Sequence, residues 1–206
     1  MRFSPTQTLR QFPFTIAIIL AVAVVGLTTA SHLDTLHPTL LERFGFAPRH
    51  LPRGEIMRLA TCVLLTHGGR TFYQALAMLA VCVGLAEKRV GTWKTMLAFF
   101  GVHLATLLVQ SLLLAIPLHR LDLWWGKLLA IEHDVGPSAG YYGCLGVACQ
   151  KASPQRRIWL LSLVGGILLA RLIWSALSPH SRPSQLPADV AHLIAFPLGV
   201  ALAKRI

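Results

Sequence analysis

Residues 136–143 read GPSAGYYG: Gly136-Pro137-Ser138-Ala139-Gly140-Tyr141-Tyr142-Gly143. The polar run Ile131-Glu132-His133-Asp134-Val135 precedes them and an apolar segment follows. Proline suits the first turn of a helix, and glycine before it permits a sharp approach. A helix is therefore predicted from about residue 137. Ser138 lies in its first turn, where N–H groups lack partners and the positive helix end can stabilise an anion. Gly140, Gly143 and Gly146 let a second helix come close. The segment ends at Lys151 and Arg156-Arg157, so it is only about fourteen residues long, against about twenty for a full crossing. A span that short either thins the bilayer or begins below the membrane surface, in a protein-enclosed cavity open to water. A serine in a span more commonly packs against a neighbour or bonds its own backbone. Its surroundings must decide.

The chain has 206 residues, 54% hydrophobic and 13% charged, with mean hydropathy +0.60. Soluble domains carry about 25% charged residues. The composition is that of a polytopic membrane protein with no large appended domain. A net charge of +11 invites a nucleic-acid reading, but the charges form no helical stripe and no zinc or helix-turn-helix pattern occurs, so nucleic acid is excluded as a partner. Cys62, Cys82, Cys144 and Cys149 sit in apolar surroundings without metal-ligand spacing and are expected to be buried thiols. No metal and no cofactor is called for.

Apolar runs predict six spans: 13–30, 71–86, 95–117, 137–150, 158–177 and 188–203. The first is expected to be retained rather than cleaved as a signal, because its apolar core is long and more spans follow. Arg2 and Arg10, Glu87-Lys88-Arg89 with Lys94, Lys151 with Arg156-Arg157, and Lys204-Arg205 all fall on one side of a six-span bundle. That places both termini in the cytoplasm. The whole chain reads as one domain, with a cytoplasmic N-terminus at 1–12, a bundle over 13–203 and a cytoplasmic end at 204–206. Spans two and four are read as short. The long external segment 31–70 is expected to pack as an amphipathic structure in the interface, and Trp124-Trp125 as an interfacial anchor.

A serine nucleophile needs a base within hydrogen-bond reach. Of the nine histidines, His32, His37, His50, His119, His133 and His180 fall in external loops and are expected to be solvated. His103 lies alone in span three and is expected to be a packed, bonded core residue. His192 stands near the external end of the last span, with Ala195 and Gly199 following at i+3 and i+7 on the same small face. An ionisable residue inside a span is a functional candidate by default. Ser138 and His192 thus form a candidate Ser–His dyad at similar depth. Asp189 stands three residues before His192, a spacing at which a helix lets it orient the imidazole; it is expected instead to be an exposed helix-start residue.

The motif from Gly136 to Gly146 resembles the nucleophile motif of the rhomboid intramembrane proteases, close to GxSGxxxGLxG. Ala191-His192 through Ala195 to Gly199 resembles their last-span motif AHxxGxxxG. Arg58-Leu59-Ala60-Thr61 through His67-Gly68-Gly69 and Ala86-Glu87-Lys88-Arg89-Val90-Gly91 are similar to the family's segments around span two. The resemblance covers about residues 55–205. It implies an all-α, six-span rhomboid-like bundle and a serine endopeptidase with Ser138 as nucleophile and His192 as general base. Single-span membrane protein substrates would be cut near the external face, with no cofactor.

The setting implied is a lipid bilayer of the bacterial inner-membrane kind. Gly136, Gly140, Ala195 and Gly199 would serve substrate approach and close packing. The gap between spans two and five, with Gly165-Gly166, would admit substrate. The chain departs from the family at Ala139, where glycine is usual, and in span two. There the places of the oxyanion donors, aligned by His67, hold Phe72 and Leu76. His67 and Gln74 are the nearby substitutes. These departures keep a second reading open: a rhomboid-like pseudoprotease that binds membrane helices for chaperoning, sorting or quality control.

Overall fold

Prolines and glycines set the ends of the helices. The computed structural model describes residues 11–177 and 185–206; the expectations for Arg2, Arg10 and His180 lie outside them. Helix α1 (Pro13–Thr28) and the short α2 (Pro38–Phe44) both start on proline, whose missing N–H costs nothing in a first turn. Arg70–Met78, the π-helical Leu79–Val83 and Gly84–Val90 run on as one helix, α3, from 70 to 90. Gly91, at φ 82°, breaks the chain before α4 (Thr92–Arg120). Then come α5 (Trp124–Ile131), α6 (Ser138–Gln150), α7 (Pro154–Leu177) and α8 (Gln185–Ala203). No strand occurs among the described residues.

Each of the six predicted spans is a helix, and the protein is an all-α polytopic bundle. Helices α4, α7 and α8 are long and apolar enough to cross a membrane; α1 is apolar but shorter. The helix of span two is longer than its apolar run: it continues past residue 86 through Glu87-Lys88-Arg89, with Glu87 buried rather than solvated. The fourth segment is short as expected: thirteen residues, about 20 Å of helix at 1.5 Å per residue.

Helix α6 is the hub. It buries a run from Ala139 to Cys149, packed between α4 and α8. A Cβ at Gly140 would stand 2.6 Å from the Phe99 ring of α4, and one at Gly143 would stand 2.6 Å from Val102. On the other side, Gly146 meets the Phe196 carbonyl, and Gly199 lies on the carbonyl of Gly143. Glycines let α6 and α8 touch backbone to backbone, so Ser138 and His192 are fixed on two helices with little play between them. Helix α7 is peripheral, with only Leu168 and Ser175 buried. It packs on α8 and α6. Gly165 and Gly166 meet nothing within 4 Å, so that small pair lies at no helix contact.

Residues 31–69 fold as a cap with its own apolar cluster of Leu36, Phe46, Cys62 and Leu65, closed by Leu107 and Val135. A bridge pairs Phe46 with Asp134, and Gly136 donates its N–H to the Cys62 carbonyl at 2.9 Å. The cap therefore holds the strand-like approach to Ser138. All four cysteines are free and buried. His103 is buried, with Nε2 3.3 Å from the Leu59 carbonyl.

The expectation of solvated loop histidines is corrected for two of them. His50 is buried and accepts from the Ala47 N–H at 2.9 Å. The rings of His50 and His133 lie 5.4 Å apart. Both are drawn in by the cap's folding. His37 and His119 are exposed, as expected.

Candidate active site

Gly136 takes φ +127°, a value that L side chains rarely adopt. It turns the chain from the cap into Pro137, and α6 starts at the next residue. Ser138 therefore stands at the first position of a helix, among N–H groups with no intrahelical acceptor. It lines a cavity of about 550 Å³ that His192 also lines. His192 is 6% exposed. Its ring lies against Tyr142, centroids 4.4 Å apart and tilted by 38°. Its Nδ1 is 3.7 Å from Asp189 Oδ1. Neither ring nitrogen has a hydrogen-bond partner. Buried polar atoms are nearly always bonded, so a buried imidazole without a partner beside a cavity stands out.

A family model described as Rhomboid domain matches residues 53–206, well over half of the chain. The chain belongs to the rhomboid family. No curated protein and no solved structure matches it.

In this rhomboid the second-span departures fall differently from their sequence alignment. Phe72 does not face the cavity. It is buried, and its ring fills the space beside Gly26 of α1. Leu76 packs against the main apolar core. The residues of α3 that line the cavity are Thr71, Gln74 and Ala75. The Gly68-Gly69 turn, both residues at positive φ, separates His67 from the helix, and within the helix Thr71 and Ala75 rather than Phe72 and Leu76 face the cavity. Thr71 Oγ1 donates to the Gly68 carbonyl at 2.7 Å, which uses its single proton. Ala75 has none to give. His67 and Gln74 remain as side chains on the cavity with N–H groups.

Ala139 is resolved in the same way. Its methyl is buried with Val102 and Ala195, and it does not line the cavity. The methyl at this place meets the seam of α4 and α8 rather than the cavity.

Asp189 is corrected outright. It is not an exposed helix-start residue: it is 3% exposed and takes Nε and Nη2 of Arg171 on one oxygen, at 3.0 and 2.9 Å. A buried carboxylate needs a partner, and Arg171, which sequence alone left without a role, supplies it from α7. Arg171, Gln74 and Asp189 also line a second cavity of about 600 Å³ between α3 and α7. Sequence reasoning missed Tyr142, Asp134 and the Arg171–Asp189 pair at the site. The signals were there: an unexplained arginine in a span, and an acid one turn before the histidine.

Asp134 lines the cavity four residues before Ser138. Burial pushes its carboxyl up to about 6, partly offset by the Val135 N–H. His67 is held below the usual histidine range by burial, with His133 nearby adding to the effect.

Proposed function

We propose that this rhomboid is an intramembrane serine endopeptidase acting on single-span membrane proteins. The observation that carries the reading is the shared cavity: Ser138 at the start of α6 and His192 on α8, the imidazole buried and unbonded. His192 takes the proton of Ser138 Oγ, and the oxygen attacks a backbone carbonyl of a locally unwound substrate helix. The tetrahedral oxyanion forms beside the first-turn N–H groups of α6, with His67 and Gln74 as additional donors. The proton on His192 passes to the leaving amine. Water then releases the acyl group by the same steps in reverse roles.

Substrate enters between α3 and α7, where the second cavity separates the two helices. The basic clusters orient the bundle with both termini in the cytoplasm and the cavity toward the external face; a bacterial inner membrane suits the composition. The competing reading, a pseudoprotease that binds membrane helices, draws on one feature, the lack of a free donor at Thr71 and Ala75.

The test is labelling of the purified chain by a fluorophosphonate probe. Native protein takes the label, Ser138→Ala does not, and His192→Ala is slowed by roughly a thousandfold. A folded native sample that neither labels nor cleaves helical substrates refutes the protease reading in favour of the pseudoprotease.

A further inference from the structure

We propose that Asp189 is a positioning residue for His192, anchored by Arg171, so that Ser138 and His192 work with a third, acidic member. The inference rests on the protease reading. Asp189 Oδ1 is the atom that faces His192 Nδ1, at 3.7 Å. Both bonds from Arg171 go to that same oxygen, so the arginine fixes where the carboxylate points. One turn of α8 separates Asp189 from His192, which puts them on one face. With Nδ1 turned to the acid, Nε2 is the nitrogen left for Ser138. Tyr142 covers a face of the ring, so the imidazole is held by α6 as well as by its own helix.

The step this arrangement serves is the first proton transfer. The O–H bond of Ser138 breaks, an N–H bond forms at Nε2, and the oxygen's electron pair goes to the substrate carbonyl carbon. His192 then carries a positive charge whose nearest anion is Asp189. In a site that excludes water, such a charge pair is worth more than at a surface.

A lone carboxylate in a span is expensive. Arg171 makes it tolerable, and does so from α7, the most loosely packed helix of the bundle. Its guanidinium is only half-buried and lines both cavities. A pair whose only task was to tie α7 to α8 would have no reason to set its one doubly bonded oxygen against the imidazole.

The experiment measures three quantities in detergent: the rate of fluorophosphonate labelling, kcat and KM on a helical model substrate, and the thermal midpoint. The main variant is the double change Asp189→Asn with Arg171→Gln, which keeps the pair neutral overall and replaces each charge with an amide. The expected result is a near-native midpoint and KM, with labelling and kcat down by roughly tenfold or more. Native rates in this variant overturn the proposal, because they show that only the packing of the pair matters.

The single changes give a ranking that holds whether or not the double variant folds. Arg171→Gln keeps the carboxylate, so its folded fraction labels faster than that of Asp189→Asn. Equal rates or the reverse order overturn the assignment. A native chain that takes no label fails the protease reading itself, and this inference with it; loss confined to the variants separates the two.

Discussion

Phe72 and Thr71 are neighbours in sequence with separate tasks. Thr71 faces the cavity, and Phe72 points into the body of the protein. Its ring takes the room that Gly26 leaves on α1 and meets the His32 ring edge-on at 6.4 Å. Truncation there removes a large buried side chain from under α1. Phe72→Ala should cost about 3–5 kcal/mol, seen as a lower thermal midpoint in detergent. The folded fraction should still label at Ser138, since the ring does not touch the cavity. Strong loss of labelling with an unchanged midpoint would mean that Phe72 faces the site after all. The same helical phase explains Ala139. One step along α6 from Ser138 turns the side chain from the cavity to the α4–α8 seam, so an extra methyl there meets Val102 and Ala195 rather than substrate.

At the scale of elements, Glu87 ties α3 to α1. Its two oxygens accept from the Phe14 N–H at 3.0 Å, the Thr15 N–H at 2.8 Å and Thr15 Oγ1 at 2.6 Å. The first N–H groups of α1 are orphans at the positive end of a helix, and a carboxylate from another helix satisfies two of them at once. Hydrogen bonds to a charged group are worth about 1.5–3 kcal/mol each. Glu87→Ala should therefore destabilise the bundle by roughly 3 kcal/mol or more, and Thr15→Val, which loses one bond, by about a third as much. Denaturant unfolding of the two variants checks the order; equal effects would sink the capping role.

This contact also marks where the sequence stopped being legible. The helical segments could be read because apolar runs and Pro/Gly breaks are local. That Ser138 and His192 meet at one cavity could be anticipated because a serine after Gly-Pro and a histidine on a small face are local features too. Glu87 was read as one charge in a basic loop, and Asp189 as a solvated cap, because their partners lie on other helices. That Phe72 and Leu76 face away from the cavity was not legible, because a count from His67 runs across the Gly68-Gly69 turn. Burial and pairing are decided by which helices meet, and spacing within one segment does not carry that.

For the whole molecule, the cap and the bundle are coupled at the approach to the nucleophile. Phe46 exchanges backbone bonds with Asp134, at 2.6 and 3.1 Å, four residues before Ser138. The cap also holds groups that respond to pH. His50 is lowered from 6.5 to about 4, by burial first and by Arg58 beside it. His67 and His133 are lowered too, each mainly by burial. A histidine depressed in the folded state favours the fold fully above its unfolded value, and that support is lost as pH falls from about 6.5 toward 4.

Asp134 works in the opposite sense. Raised from 3.8 to about 6, it stabilises the fold below its unfolded value, and that support is lost as pH rises through about 6. Acidification therefore strains three histidines and relieves one carboxyl, so the net expectation is a thermal midpoint that falls between pH 6.5 and 4. His50→Asn keeps an acceptor for the Ala47 N–H but takes up no proton. Its midpoint should fall less steeply over the same window. Because the cap leads directly into Ser138, labelling of the native chain should weaken in step with its midpoint, and the variant should hold its labelling to lower pH. Parallel slopes for the two proteins would show that His50 does not carry the acid sensitivity of the cap.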